Sequence, residues 1–160
     1  MSKAVFSGSF DPVHLGHIDI IKRAAAMYDE LTVAVTVNLE KKNMFDYETR
    51  VEMIKEAVKD LKNVKVEECT GLRAAYVNER GFDVEVRSLR NSADFEYEIP
   101  VAQMHKRLYN KAEVIFLMTE PQYSYISSNQ VRQVFSLGGD VSMMVDPSTL
   151  EIMYSKKGMK

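Results

Sequence analysis

A chain of 160 residues with 46% hydrophobic and 28% charged content has enough apolar material for one folded domain with a full core. Its formal net charge of −2 excludes the global basic footprint that nucleic-acid binding needs, so any anion site must be a local cluster. A single cysteine, Cys69, excludes an internal disulfide and fits a reducing compartment. The start, Met1-Ser2-Lys3, leads straight into an apolar run rather than a leader, and no apolar stretch approaches the roughly 18 residues of a membrane helix. One domain over 1–160, cytoplasmic and without membrane contact, is expected.

Lys3-Ala4-Val5-Phe6 reads as a strand and Ile18 to Tyr28 as a helix. Between them lies Ser7-Gly8-Ser9-Phe10-Asp11-Pro12-Val13-His14-Leu15-Gly16-His17, a glycine-bearing loop with a hydroxyl and two imidazoles three residues apart. Such a junction sits at the carboxyl end of a strand, where open α/β sheets bind ligands, and the helix start behind it suits phosphate. Histidines three apart share a helix face and also suit a metal. The only other histidine is His105 and the only cysteine Cys69, so metal ligation is not expected.

Leu31 to Val37 is β-branched and short, a buried strand. The polar stretch Asn38-Leu39-Glu40-Lys41-Lys42-Asn43 follows it and falls beside the first loop, where Lys41 and Lys42 either face an anion or are simply solvated. Asp46 suits the N-cap of a helix from Tyr47 to Leu61. Val51, Ile54, Val58 and Leu61 form its inward stripe, and Glu48, Arg50, Glu52, Lys55, Glu56 and Lys59 its charged outer face. Val64 to Glu67 is a third strand. Gly71-Leu72-Arg73 opens a short helix that ends near Arg80 at the stop Gly81, with Arg73 placed either to meet substrate or to lie on the surface. Cys69 reads as a packed side chain, since nothing nearby would activate it.

Phe82 to Val86 is a fourth strand, followed by Arg87-Ser88-Leu89-Arg90. Two arginines at a strand end suit a phosphate clamp, because guanidinium offers paired donors. The structural alternative is neutralisation by Asp94 and Glu96. Ala93 to Tyr109 reads as a helix that Pro100 breaks or kinks, with an apolar stripe of Tyr97, Val101, Met104 and Leu108 for core or subunit packing. Val114 to Met118 is wholly apolar, which places this fifth strand centrally. Ser127 and Gln130 match a capping box for a helix to about Leu137, so Ser127 and Ser128 again stand at a strand's carboxyl end, able to face a polyphosphate. Pro147 to Lys160 reads as a last short helix. Five strands alternating with helices give a single-domain α/β fold with a doubly wound parallel sheet, and every polar cluster follows a strand.

Gly8-Ser9-Phe10-Asp11-Pro12 with His14-Leu15-Gly16-His17 resembles the nucleotidylyltransferase superfamily and its HxGH signature, which implies its Rossmann-like fold. Arg87-x-Leu89-Arg90, then Ala93-Asp94-Phe95-Glu96-Tyr97-Glu98, then Ser124-Tyr125-Ile126-Ser127-Ser128, together with Lys41-Lys42-x-Met44-Phe45 and Arg50, is similar to the phosphopantetheine adenylyltransferase family. The similarity runs from Lys3 to about Asp140.

That resemblance implies adenylyl transfer from ATP to 4′-phosphopantetheine, giving dephospho-coenzyme A and pyrophosphate. It implies that His17, Lys41 and Arg90 are catalytic, with His17 donating to the α-phosphate in the transition state. It places Ser9, Lys41, Arg73 and Arg87 on the phosphopantetheine substrate. It places Ser9, Phe10, His17, Ser88, Leu89, Arg90, Glu98 and the loop of Tyr123, Ser124, Tyr125, Ile126, Ser127, Ser128 and Asn129 on ATP. Mg2+ is implied as the ion accompanying ATP, without dedicated protein ligands. A cytoplasmic homohexamer with coenzyme A as feedback inhibitor is implied too. The chain departs from the family pattern at Ser88, where glycine is usual, at Asn129, at Arg73, where an apolar residue is common, and in the prolines absent from Asn38 to Asn43. Two alternatives follow: an adenylyltransferase for another phosphorylated acceptor, and a non-catalytic nucleotide or coenzyme A binding module.

Overall fold

Short runs of β-branched and small apolar residues make the strands, and the order in which they pair fixes the site. A computed structural model describes residues 1–37, 42–108 and 111–157. Its strands are β1 (Lys3–Gly8), β2 (Glu30–Val37), β3 (Val64–Thr70), β4 (Val84–Leu89) and β5 (Glu113–Met118). They form one parallel sheet in the order β3-β2-β1-β4-β5. The order reverses at β1, so the switch point, where such sheets open a ligand crevice, lies between β1 and β4. Register puts Phe6 opposite Val33 on one side and Val86 on the other, buried on both faces as a central strand requires.

The helices are α1 (Leu15–Met27), α2 (Tyr47–Ala57), α3 (Arg73–Glu79), α4 (Ser92–Leu108), α5 (Ser128–Ser136) and α6 (Pro147–Lys157). The larger core gathers Ile20, Ile21, Val33, Ile54, Val131 and Met153 from α1, α2, α5, α6 and the sheet. A smaller apolar cluster, Val5, Ala34, Cys69, Val77, Phe82 and Ala112, occupies the opposite face under α3. Cys69 is buried there, with its thiol pKa pushed up by burial.

Several expectations are corrected. The apolar β5 lies at the sheet edge, paired with β4 alone. Continuous hydrophobicity reports cover on both faces, not neighbours on both sides. Helix α4 runs through Pro100 unbroken: both Pro100 and Glu96, the residue whose carbonyl loses its partner, are exposed, so water can serve that carbonyl. Tyr97, Met104 and Leu108 on α4 are exposed, so their stripe is not core in this chain. Arg50 is 1% exposed rather than on an outer face, because Arg50, Met53 and Ile54 share the inward side of α2, which ends at Ala57.

Candidate active site

The β1–α1 loop is built around Asp11. Its carboxylate is 2% exposed and accepts from the backbone N–H groups of Met44 (2.8 Å) and Phe45 (2.9 Å), which ties the loop ahead of α2 to the first loop. Arg50 completes the tie from beneath. Its Nη1 donates to the carbonyls of Ser9 (2.6 Å) and Thr36 (3.1 Å), joining the ends of β1 and β2. Arg132 of α5 donates to the Asp11 carbonyl (2.7 Å), and Ser128 Oγ to that of Pro12 (2.9 Å). Sequence reasoning took Arg50 only as a motif residue and an outer-face charge, and missed Arg132. The signal for Arg50 was the Arg50-Met53-Ile54 spacing; nothing local marks Arg132.

Two imidazoles make the start of α1. The His14 backbone N–H donates to His17 Nδ1 (3.1 Å), and the His17 N–H donates to His14 Nδ1 (3.3 Å). This is a capping box in which rings replace the usual hydroxyl and carboxamide. The rings stack with centroids 3.6 Å apart, and Phe10 meets His17 edge-on at 4.9 Å. Because each Nδ1 accepts, each neutral ring carries its proton on Nε2, leaving His17 one N–H to present. Burial, then the nearby Arg90, lowers the His17 pKa from 6.5 to about 3, and His14 is held well below its usual range by burial and by His17. His17 is thus a neutral donor at working pH.

The sign of its pH dependence follows. Between pH 6.5 and about 3 the unfolded chain binds a proton at residue 17 that the folded chain refuses, so this residue's contribution to stability is present above 6.5 and is lost as pH falls through that window. Activity profiles from pH 8 to 5 should therefore show no step at 6.5 from His17, while melting temperature falls with acidification. A titration near 6.5 in kcat/KM that disappears in His17→Asn would contradict this assignment.

On β4 and α4, both arginines are already partnered. Arg87 is bidentate to Glu98 (Nε 2.9 Å, Nη2 2.8 Å), with Nη1 turned toward Ser7 (3.4 Å to the carbonyl). Arg90 is bidentate to Asp94 (both 3.0 Å), and its Nη1 reaches the Ile126 carbonyl (3.4 Å). The Arg90 hydrogen bond holds the Asp94 carboxyl below its usual range. Neutralisation by Asp94 thus occurs, while Glu98 takes the place expected of Glu96.

A cleft of about 220 Å³ collects these groups: His14 from the first loop and Gly16 and His17 from the start of α1, Ser88 from β4, Arg90 just after it, Asp94 and Glu98 from α4, Thr119 and Ser127 from the stretch after β5, and Ser128 from the start of α5. Ser127 caps α5 by accepting the Gln130 N–H (3.2 Å), so the cap falls on the cleft wall.

The other expected site residues lie as follows. Ser9 gives its carbonyl to Arg50 and is not among the residues that line the cleft. The Phe10 ring is 1% exposed at a φ of 46°, so it supports His17 from below and offers a ligand only backbone. Leu89 and Ile126 are buried and likewise offer only backbone. Tyr123 packs on the core, Ser124 donates to the Pro121 carbonyl (2.8 Å), Tyr125 is exposed, and Asn129 accepts from Arg132 (3.5 Å). Neither Arg87 nor Arg73 is among the residues that line this cleft; both guanidiniums approach Glu85 Oε1, Arg73 Nε at 3.1 Å and Arg87 Nη1 at 3.8 Å. Lys41 lies outside the described residues, as do Asn38, Leu39 and Glu40. Thr119, a cleft residue, was missed because one threonine after an apolar strand carries no pattern.

Residues 5–134 match the model of the cytidylyltransferase-like family. A Corynebacterium diphtheriae protein named phosphopantetheine adenylyltransferase is 47% identical over 157 residues, 98% of each chain. Proteins of that name from Heliobacterium modesticaldum (44% identical, 99% of this chain and 94% of the relative) and Dictyoglomus thermophilum (41%, 100% and 98%) match similarly. A solved structure from Vibrio parahaemolyticus, described as a nicotinate-nucleotide adenylyltransferase, superposes with a TM-score of 0.72 over 96% of this chain and 99% of its own, at 19% identity, a likeness of fold.

Proposed function

From its membership of the cytidylyltransferase-like family and, within it, of the phosphopantetheine adenylyltransferases, we infer that the chain transfers the adenylyl group of ATP to 4′-phosphopantetheine, giving dephospho-coenzyme A and pyrophosphate. The near-full-length identity to relatives of that name carries this reading.

In that reaction the acceptor's own phosphate oxygen attacks the α-phosphorus of ATP and pyrophosphate leaves, so the protein needs no covalent nucleophile. It must hold two anions in line and neutralise the charge that builds at the transition state. His17 Nε2–H supplies a neutral, pre-aimed donor to the α-phosphate. Arg90, the Ser88-Leu89 backbone and the start of α5 receive the ATP phosphates, and Ser127 and Ser128 bring their hydroxyls to the same wall. Arg87 reads the acceptor from β4, with Ser9 and Lys41 on its phosphate. Glu98 fixes Arg87, and Asp94 fixes Arg90. Both carboxylates in the cleft are taken up by guanidiniums, so a Mg2+ accompanying ATP would be held by the phosphates and would supply neutralisation of their charge.

The exposed Tyr97, Met104 and Leu108 on α4 favour a homo-oligomer, and the family resemblance favours a hexamer. Coenzyme A, which carries the product's adenylyl and pantetheine groups, is the expected feedback inhibitor. Among the described residues no helix is long and apolar enough to cross a membrane; a cytoplasmic site of action is what the family resemblance implies.

Pyrophosphate release tests the reading. Purified protein should release it only when ATP, Mg2+ and 4′-phosphopantetheine are all present. Release without the acceptor, or none with it, would refute adenylyl transfer to this acceptor.

A further inference from the structure

Beyond Arg87, the sheet face under α3 and α4 carries a second, deeper set of charges. Glu85 of β4 is 2% exposed, with Val5 and Val114 as its neighbours in register. A carboxylate in such surroundings is costly unless charges meet it. Three side chains converge on it from three elements. Arg73 Nε of α3 is 3.1 Å from Oε1, Arg87 Nη1 is 3.8 Å from the same oxygen, and His105 Nδ1 of α4 is 3.3 Å from Oε2.

The Arg73 contact is a charge pair and not a completed hydrogen bond. Arg73 Nε and Glu85 Oε1 are both buried and lack a hydrogen-bond partner among the described residues. Glu85 therefore holds the guanidinium by charge at its inner edge, and no hydrogen bond among the described residues occupies the Nη groups. Arg73 and Arg87 approach the same Glu85 oxygen, which places the two guanidiniums close together, and burial and Arg87 both lower the Arg73 pKa. The arrangement repeats that of Arg87: one arginine at the acceptor side, one carboxylate behind it. Arg73 with Glu85, and Arg87 with Glu98, sum to no net charge. A neutral locus with free N–H donors suits a polar, uncharged ligand group better than a second phosphate. An apolar group there would leave those donors without partners.

We propose that Glu85, braced by His105, is a positioning residue that holds Arg73 beside Arg87 so that the Arg73 Nη groups donate to amide carbonyls along the acceptor's arm. Glu85 does not touch the acceptor; it acts through Arg73. This rests on the reading of 4′-phosphopantetheine as acceptor, whose arm contains two amides.

Steady-state kinetics that vary each substrate in turn test it. Glu85→Gln should raise the acceptor KM about tenfold, the loss of one well-placed charge-assisted contact. Its KM for ATP and its kcat should stay within about twofold, since only ground-state binding of the arm is altered. Arg73→Lys keeps a charge opposite Glu85 but loses the fork, and should raise the acceptor KM similarly. This second variant covers the case in which Glu85→Gln fails to fold, which a thermal melt reports. The double variant should be no worse than Arg73→Lys alone. An unchanged acceptor KM in a folded Glu85→Gln or Arg73→Lys overturns the proposal, as do equal rises in both KM values or a double variant showing the product of the single effects. Wild-type protein silent with ATP and 4′-phosphopantetheine would instead overturn the functional reading, and this inference with it.

Discussion

His17→Ala should lower kcat by about 10²–10³-fold, the usual loss when one pre-aimed transition-state donor is removed. The ring's only uncommitted N–H is on Nε2, because Nδ1 accepts from the His14 backbone. Burial and Arg90 keep it neutral down to about pH 3, so no other protonation state supplies the same donor. The substitution also frees the His14 N–H and removes the ring under which Phe10 packs, for which a stability loss of about 1 kcal/mol is expected, in the range of a lost N-cap. Single-turnover measurement with saturating substrates, alongside a melt, separates the two effects. A folded His17→Ala turning over within a few-fold of wild type would remove His17 from the role assigned to it.

Asp11→Ala should be the more damaging change to the fold. The buried carboxylate satisfies two backbone N–H groups, and its negative charge supports that of buried Arg50. Alanine leaves all three without it, and removing one partner of such a buried charge set costs about 3–5 kcal/mol. Asp11→Asn keeps one acceptor oxygen and should lose less. Urea denaturation would show the Asp11→Ala midpoint well below that of Asp11→Asn, with both below wild type. Equal midpoints for all three would mean that the ties to Met44, Phe45 and Arg50 do not stabilise the native chain.

Local chemistry was legible wherever a short-range rule applied. Asp46 and Ser127 cap α2 and α5 as their positions predict, Gly81 ends α3 at a φ of 69°, and the loop after β1 opens into the cleft through His17. What escaped was decided by distant partners. Edge or centre for β5 depends on which strand pairs beside it, and Val114 to Met118 contain no record of that. Arg50 looked solvated because charge is a poor guide to burial when two carbonyls, Ser9 and Thr36, wait across the loop. Glu98 rather than Glu96 meets Arg87 because the partner is chosen by the turn of α4, not by nearness in sequence. Nothing in the residues around His14 separates a chemical from a structural role; its reciprocal bond with His17 gives it a structural task at the helix start.

The pairing of Arg87 with Glu98 and of Arg90 with Asp94 uses Nε and Nη2 of each guanidinium and leaves the Nη1 edge outside the carboxylate fork. The two side chains are therefore set before a ligand arrives, and little rotamer freedom remains to be lost on binding. A small free anion meets one such edge at a time. A ligand that carries several phosphates or a long arm meets them together with His17 and the start of α5, and its later contacts form at high local concentration. Preference for multivalent ligands is the expected consequence.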